Sequence, residues 1–544
     1  MQYVNVYEPI SNVTSDVQRT HIVYSGGHYY NHQIYTADSW SSSLTAQTLF
    51  TINPPSTQTI MDRNVKIRCY FEVTVDADLK LTLDDSLRQF PINSLIDNLI
   101  IQINGTTLSE NVADKIHALM TYGNNMQTRN DSCSISLAQP DQFQEYADYA
   151  TLGTARNVCA AYGENSAEPS RGSCTTIVLD PVTPLRKFRV VLTEPIITSP
   201  FESPFCKDKE EGFVNINQMN FTFRWVQNVS RILSHSILGN PINVVSVTMY
   251  SPPQLLVLYV TPAMGQVLPS VQTLFYHKTL DYIKVQPTIL PGASALYISD
   301  SIKMSQILES LLFFVRRNRS LMNHTTSDSF CRIDNVNILY NNQSSLLSTA
   351  TSDQLYEITK RNGSNLSYAA FNKFRGGVMK INFGKDIALI EGEAPGMQGQ
   401  YTIQLQIQYT NTSNTTLVTP EAFLCLNMVG MVQIMENACV ISLGNLNKEI
   451  VTEVQSSGGQ ISHADYMNLQ GGSFLSGLKN FFNKVSKFIS PVAHALSNVP
   501  MLAPYAGPIA TVADAVKTAT GGKLKGKGLS GGGLSGGSRR MSRR

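Results

Sequence analysis

Two short stretches of the sequence carry residues whose types and spacing could support chemistry. His28 and His32 are four residues apart, which would place two imidazoles on one face of a helix, but Gly26-Gly27 before them disfavours a helix. Residues 521–527 read Gly-Gly-Lys-Leu-Lys-Gly-Lys and match the spacing of a phosphate-binding loop, but Gly528 replaces the Ser or Thr that would bind Mg²⁺. We therefore predict no bound metal and no cofactor.

Other catalytic and metal-binding patterns are also missing from the sequence. It has no His-Glu-x-x-His motif, and none of its eight cysteines belongs to a Cys-x-x-Cys pair. Scattered cysteines of this kind are typical of buried free thiols, which behave as small apolar side chains. The sequence therefore predicts a protein that is not an enzyme.

The composition indicates a β protein, and the charge is unevenly distributed along the chain. Only 15% of the 544 residues are charged, against about 25% in an average soluble protein. Residues 473–544 contain 11 Lys and Arg but a single acidic residue, Asp514, whereas the rest of the chain has 31 basic and 39 acidic residues. An acidic body is thus joined to a basic C-terminal segment, and a function has to account for both.

The elements of the body are short strands, and their pattern repeats. Residues 401–410 alternate strictly between apolar and polar side chains, which predicts a half-buried strand, and residues 66–75 and 214–226 also read as strands. Residues 96–105 recur as 333–342; each copy is a strand that ends in Asn-Gly or Asn-Asn and is followed by a short helix. This long repeat indicates a duplicated β domain.

The fold class that we predict is all-β: two tandem eight-stranded antiparallel jelly rolls with short inserted helices, followed by an amphipathic helix and a disordered basic tail. A pair of immunoglobulin-like sandwiches is the competing fold, but the sequence lacks its Cys–Trp–Cys pattern. The predicted segments are a first jelly roll at 1–245, a second at 246–455, a linker at 456–472, a helical apolar segment at 473–520 and a basic tail at 521–544.

The helix predicted at the start of the C-terminal segment is amphipathic. Its apolar residues follow the helical period and leave the lysines on the opposite face; they are Phe474, Leu475, Leu478, Phe481, Phe482, Val485, Phe488 and Ile489. Such a helix can lie in a membrane interface or pack on a protein partner. The last residues include Arg539, Arg540, Arg543 and Arg544, which could contact nucleic acid or another anion, or could simply keep the tail soluble.

Several motifs resemble a known family. The run Asn53-Pro-Pro-Ser-Thr-Gln-Thr-Ile-Met-Asp-Arg63 resembles a segment near the start of the first jelly roll in major capsid proteins of virophages and Polinton-like viruses. Residues 211–223 and 347–363 show further similarity to the same family, in the same order. The resemblance implies a double jelly-roll major capsid protein whose trimers are pseudo-hexameric and tile an icosahedral shell around double-stranded DNA.

The same resemblance implies a maturation step. Adenovirus-like proteases of related viruses cleave after [Met/Ile/Leu]-x-Gly-Gly or within [Met/Ile/Leu]-x-Gly-x-Gly. Leu469-Gln-Gly471-Gly472, followed by Ser473, fits the first pattern, and Leu524-Lys-Gly526-Lys-Gly528 fits the second. The first match falls where the acidic body meets the amphipathic helix, so the C-terminal peptide would be released there and would act on a membrane.

The partners that the resemblance implies are those of a virion. They are two further copies of the chain in a homotrimer, neighbouring capsomers, a single jelly-roll penton protein, minor capsid proteins, a viral cysteine protease, and genomic DNA or a membrane at the tail. The expected location is the capsid, after assembly in the host cytoplasm or nucleus. The alternative function is that of a lectin-like β-sandwich attachment protein on a virus or a cell surface.

Overall fold

A computed structural model describes most of the body of the chain. The described residues are 2–8, 17–23, 29–56, 59–76, 85–88, 90–122, 186–201, 212–235, 243–262, 268–324, 326, 330–341, 343–374, 376–413, 416–444, 446–449 and 451–452. All of them belong to one unit formed by residues 1–460. Within this part of the chain, no helix is both long and apolar enough to cross a membrane.

The first half of the body is a sandwich of two four-stranded sheets with short additional strands. Its strands are β1 (Gln2–Glu8), β2 (Val17–Val23), β3 (Tyr29–Thr36), β4 (Thr48–Ile52), β5 (Ile60–Met61), β6 (Lys66–Val75), β7 (Asp85–Leu87), β8 (Ile96–Ile103), β9 (Thr106–Asn111), β10 (Lys187–Pro195), β11 (Met219–Trp225), β12 (Leu233–His235), β13 (Val244–Met249) and β14 (Gln254–Thr261). The sheets have the orders β10-β6-β14-β3 and β4-β11-β8-β9, and β13 and β5 extend the first. Every pairing is antiparallel, as in a jelly roll.

The second half repeats this arrangement. Its strands are β15 (Val271–Val285), β16 (Ser294–Ile298), β17 (Ile302–Gln306), β18 (Ser310–Arg317), β19 (Arg332–Tyr340), β20 (Gln343–Leu346), β21 (Val378–Asn382), β22 (Gln398–Thr410), β23 (Pro420–Met435) and β24 (Ala438–Leu443). The two sheets have the orders β15-β23-β18-β21 and β16-β22-β19-β20, and β24 and β17 extend them. The predicted pair of eight-stranded antiparallel jelly rolls is therefore confirmed.

Three α-helices lie among the described residues: α1 (Pro91–Leu95), α2 (Ile116–Leu119) and α3 (Ser352–Arg361). Helix α3 begins with a capping box, in which the Thr351 hydroxyl accepts from the Gln354 amide and the Gln354 side chain accepts from Thr351. The sequence predicts a helix after each repeated strand, near residues 114–122 and 353–360. Helix α2 is shorter than the first range, and helix α3 covers the second.

The repeated strands β8 and β19 end in equivalent turns. Asn104 and Asn341 have φ of 43° and 49°, the left-handed region that asparagine tolerates. The Asn104 side-chain oxygen accepts from the amides of Asn217 and Gln218, and that of Asn341 accepts from the Thr402 amide. Each asparagine thus fixes the register of the strand that lies beside its own in the sheet, β11 beside β8 and β22 beside β19. The sequence repeat is confirmed as a structural duplication.

The boundary that the sequence placed between residues 245 and 246 is corrected by the strand pairing. Strand β13 pairs with β6, and β14 pairs with β3 and β6, so the first jelly roll extends to Thr261. The second begins with β15 at Val271. The sequence signal for the predicted boundary was Pro241 together with Ser251-Pro252-Pro253. Pro252 and Pro253 instead lie between β13 and β14, two strands of the same sheet.

Candidate functional site

The residues that the sequence marks for cleavage, membrane contact and anion binding lie outside the described residues. They are Leu469, Gly471, Gly472 and Ser473; Leu524, Gly526 and Gly528; the apolar positions between Phe474 and Ile489; and Arg539, Arg540, Arg543 and Arg544. They remain predictions. Among the described residues, no group of three or more His, Cys, Asp or Glu side chains could hold a metal ion.

The site that the structure does reveal is the interface between the two jelly rolls. Its basis is the sheet β15-β23-β18-β21, whose strands β18 and β23 are buried on both faces. In β18, Leu311, Phe313 and Val315 enter the core of the second jelly roll, whereas Leu312 and Phe314 point the opposite way. This alternation follows from the pleat of a strand. The outer face must therefore be covered by something other than its own sandwich.

Helix α2 of the first half supplies that cover. Ala118, Leu119 and Tyr122 pack against Phe314 and Phe423 on the outer face of the sheet. The two phenyl rings are stacked, with centroids 4.8 Å apart. The Tyr122 hydroxyl also donates a 2.7 Å hydrogen bond to the carbonyl oxygen of Val378. An apolar cluster with one directed polar contact thus joins the first jelly roll to the second.

The two longest strands extend the interface beyond the second sandwich. Strands β15 and β23 have 15 and 16 residues, against about five or six for a typical strand. Leu274, Tyr276, Val432 and Ile434, near one end of this pair, belong to the hydrophobic core of the first jelly roll. The same two strands therefore contribute to both cores.

Side-chain amides fix the alignment at this boundary. The amide nitrogens of Asn104, Asn215 and Asn228 each donate to a carbonyl oxygen of the second half, at 2.8 to 2.9 Å; the acceptors are Met435, Pro269 and Met322. Neutral amides form directed hydrogen bonds without the cost of burying a charge. The asparagine-rich, charge-poor composition is used here for contacts between domains.

Charged groups at the interface are buried only as networks. The Arg316 guanidinium donates to Glu421 at 2.9 Å and to the backbone oxygen and carboxylate of Asp114 at 2.6 and 3.1 Å. Arg319 pairs with the same Asp114 carboxylate. Burial opposes ionisation of Asp114, but Arg316 and Arg319 outweigh it and lower its pKa to about 2. Asp114, from the first half, is therefore held by two arginines of the second.

The neighbouring residue, Lys115, is buried in a second network. Its side chain is 1% exposed, and its Nζ lies 2.7 Å from Thr279 Oγ1 and 3.0 Å from Asp281 Oδ2 and also contacts Glu110. Burial opposes protonation of Lys115, but the two carboxylates outweigh it and raise its pKa. Burial also raises the pKa of Glu110, despite the opposing effect of Lys115. Two consecutive residues of the first half thus carry opposite charges into the second.

Sequence reasoning missed this interface. Its charged members are far apart in the chain, and no pattern relates Asp114 to Arg316 or Lys115 to Asp281. One signal was available: residues 311–315 and 422–426 are continuous apolar runs, unlike the alternating 401–410. A continuous run is typical of a strand that is buried on both faces. It could have predicted the covered sheet, although not the helix that covers it.

Comparisons with known proteins agree with this architecture. The family model described as the Sputnik virophage major capsid protein first domain matches residues 1–183, and that of the major capsid protein V20 C-terminal domain matches residues 276–430. The putative capsid protein V20 of Sputnik virophage is 29% identical over 94% of this chain and 91% of its own length.

Solved structures give the same result. A chain of the Sputnik virophage cryo-EM structure matches with a TM-score of 0.74 and 28% identity, over 86% of this chain and 97% of that chain. The mavirus major capsid protein shares the fold, with a TM-score of 0.62 and 13% identity over 81% of this chain and 95% of its own. Two joined jelly rolls of this kind define the class of double jelly-roll capsid proteins. This chain belongs to the virophage major capsid protein family, which confirms the resemblance inferred from its motifs, and its place is the capsid of the virion.

The Asp114 network makes the stability of the body depend on pH. Because the pKa of Asp114 in the folded protein is about 2, below its ordinary value of about 3.9, the stabilisation is present above pH 4 and is lost as the pH falls towards 2. We expect Asp114→Asn to lower the free energy of unfolding by about 2 kcal/mol at pH 7, measured by urea denaturation. The difference from the native chain should shrink steadily below pH 4.

The matched control for this experiment is Asp97→Asn. Asp97 lies 3.9 Å from the same Arg319, but its side chain is 58% exposed, so its replacement should change stability by less than about 0.5 kcal/mol. An Asp114→Asn penalty that is as large at pH 2.5 as at pH 7 would contradict the linkage to ionisation.

Proposed function

We propose that this major capsid protein forms pseudo-hexameric homotrimers that tile an icosahedral shell around double-stranded DNA. The observation that carries the proposal is the interface just described, because it fixes two jelly rolls as one rigid block. A shell subunit must keep its shape while neighbouring copies press on it from several sides. A structural role, without catalysis, is consistent with the family and with the absence of catalytic motifs from the sequence. The matches with capsid proteins do not favour the attachment-protein alternative.

An exposed apolar surface on the second jelly roll supports contact between copies. Edge strands β15 and β16 present Ile283, Val285, Leu296 and Ile298, each 44 to 57% exposed. Lys284 on β15 contacts Asp300, just after β16, at 3.4 Å, so the two edges lie side by side. Contiguous exposed apolar residues mark protein contacts. Among the described strands, β15 pairs only with β23, so its other edge is available to a partner.

A second exposed surface fits the geometry of a closed ring. A threefold ring is built from head-to-tail contacts, in which two different patches of each subunit meet. In the first jelly roll, edge strand β3 exposes Tyr29, Tyr30 and Ile34, which are 57 to 68% exposed. We infer that this β3 surface of one copy meets the β15–β16 surface of the next.

Replacing apolar residues of the β15–β16 surface by acids should weaken the trimer. We expect Ile283→Asp combined with Ile298→Asp to raise the trimer dissociation constant at least about tenfold, since an unpaired carboxylate would be buried on association. Sedimentation equilibrium of the purified chain measures this. The control is Ile390→Asp, at a 60% exposed position in the loop between β21 and β22. Equal trimer content in both variants would exclude this surface from the contact.

We further propose that a viral cysteine protease cleaves the chain after Gly472 and releases the C-terminal peptide. The support is the coincidence of the Leu469–Gly472 motif with the step from acidic to basic charge. Protein from purified particles should end at Gly472 by intact mass. Gly472→Val should leave the chain full length, because a branched side chain would clash in a narrow protease cleft.

The sequence offers a matched control for the cleavage experiment. Gly458-Gly459 is a second pair of glycines nearby, but Ser456 occupies the position where the motif requires Met, Ile or Leu. Gly459→Val should therefore leave cleavage unchanged. Infectious particles that contain only the 544-residue chain would refute the maturation step while leaving the capsid role intact.

For the released peptide we propose a membrane-active role, with DNA binding by the last residues as the competing role. The support is the Phe-rich apolar face opposite Lys479, Lys484 and Lys487. A peptide of residues 473–490 should release dye from anionic liposomes, and the same peptide with Phe481→Ser and Phe482→Ser should release at least about tenfold less. No leakage, combined with salt-sensitive DNA retention by residues 521–544, would favour the packaging role.

A further inference from the structure

The Lys115 network contains the groups needed for a covalent bond between the two jelly rolls. Lys115 follows β9 in the first half, and Asp281 lies on β15 in the second half, 166 residues away in the chain. Nζ of Lys115 lies 3.0 Å from Oδ2 of Asp281. An amine and a carboxyl group held at this distance in a fixed orientation gain the large rate advantage of an intramolecular reaction.

The site is largely shielded from solvent, which favours condensation over hydrolysis. Lys115 is 1% exposed, and Glu110 and Asp281 are each 14% exposed. The second carboxylate oxygen of Asp281, Oδ1, is buried, and no nitrogen or oxygen donor of the described residues binds it. The Cys425 thiol lies beside this carboxylate and is a weak donor to it, so the desolvation of Asp281 is poorly compensated. Because Lys115 contacts Oδ2, Oδ1 is the oxygen assigned to leave.

A route for protons is present beside the two reacting groups. Lys115 donates to Thr279 Oγ1 at 2.7 Å, and the Thr279 hydroxyl donates to Glu110 Oε1 at 2.6 Å. Glu110 also contacts Lys115 directly. Burial raises the pKa of Glu110, with Lys115 opposing and Asp281 adding to the rise, which makes this carboxylate a better proton acceptor.

We propose that Lys115 and Asp281 condense into an isopeptide bond that ties the first jelly roll to the second, with Glu110 as the acid–base group. The Nζ–Cγ bond forms and the Cγ–Oδ1 bond breaks. Of the three protons on the ammonium, one stays on the amide nitrogen and two leave with Oδ1 as water. The positive and negative charges cancel, so the reaction needs no oxidant, reductant or activated donor. Glu110 first takes a proton from the Lys115 ammonium, which frees the nitrogen lone pair for attack on Cγ, and passes it to Oδ1. The second proton leaves the nitrogen by the same route as the Cγ–Oδ1 bond breaks.

Competition from the nearest nucleophile is weak. Cys425 lies directly across from Asp281 in the β15–β23 pairing. Burial, with a contribution from Asp281, raises the pKa of its thiol well above the ordinary value. The thiol therefore stays protonated and unreactive. The amide is also far more stable than a thioester, so Lys115 determines the product.

The bond would change how the two jelly rolls separate when the protein unfolds. Hydrogen bonds and ion pairs between the jelly rolls open whenever the domains separate locally, whereas an amide holds them together even in the unfolded chain. Closing a loop of 166 residues restricts the unfolded ensemble as a disulfide does, without any dependence on redox conditions. This inference does not depend on trimer formation or on cleavage.

The decisive measurement is the intact mass of the full chain after denaturation. We expect the purified protein to be lighter than its sequence by one water molecule. Trypsin should fail to cleave after Lys115, and the digest should contain one branched peptide that includes Lys115 and Asp281. A native chain with the full sequence mass overturns the proposal, and so does a water loss that persists in Lys115→Arg.

Variants separate the chemistry from a purely structural role. Asp281→Asn should lose ammonia in place of water, a signature that an ordinary ion pair could not produce. Glu110→Gln should slow formation of the bond at least about tenfold in a time course after refolding. Thr279→Val removes the hydroxyl between Lys115 and Glu110 and should slow the same reaction. The matched control is Lys187→Arg, which preserves the exposed ion pair with Glu72 and should leave the water loss complete. Glu110→Gln that reacts at the native rate would overturn the role assigned to Glu110.

Discussion

The structure depends on one constraint: strands β18 and β23 are apolar on both faces, and the second jelly roll covers only one of those faces. Phe314 and Phe423 alternate with core residues along their strands, so the face that carries them would be exposed if the second jelly roll stood alone. Large exposed apolar faces are destabilising or aggregation-prone. The first jelly roll removes this exposure by placing α2 on the sheet. The contact between the two domains therefore buries a face that neither domain could bury alone.

Charge is used sparingly and is placed where burial makes it directional. Buried ion pairs contribute little net stability compared with apolar packing, but removing one partner leaves a charge whose desolvation is uncompensated. Arg316 is paired with both Asp114 and Glu421 in the observed placement of the two jelly rolls. Other placements would leave its buried charge unpaired and are therefore less stable. The side-chain amides of Asn104, Asn215 and Asn228 act in the same sense without charge. Packing supplies the affinity between the domains, and these polar contacts determine their alignment.

Local patterns predicted the elements well, because each depends on neighbours in the chain. The alternation at residues 401–410, the Asn turn at residue 104 and the helix at 353–360 are all present in the structure. The predicted domain boundary was wrong because a pair of prolines gives the same sequence pattern between two strands of one sheet as between two domains. The pairings across the interface could not be predicted, because Asp114 meets Arg316 across 202 residues and no local signal encodes that contact. The proposed cleavage and membrane residues lie outside the described residues, and their support remains the sequence.

The duplicated turns show how a repeat can acquire an interface. Asn104 and Asn341 share one local role, since each side-chain oxygen receives amides of the next strand in its own sheet. That role leaves the amide nitrogen available. In the first copy it donates to Met435 of the second jelly roll, at 2.8 Å, whereas Asn341 in the second copy is exposed. Duplication thus provides two similar domains, and contacts between them can develop from groups that the fold already holds in place. Few additional contacts are then needed to fix the two domains as one rigid subunit of a shell.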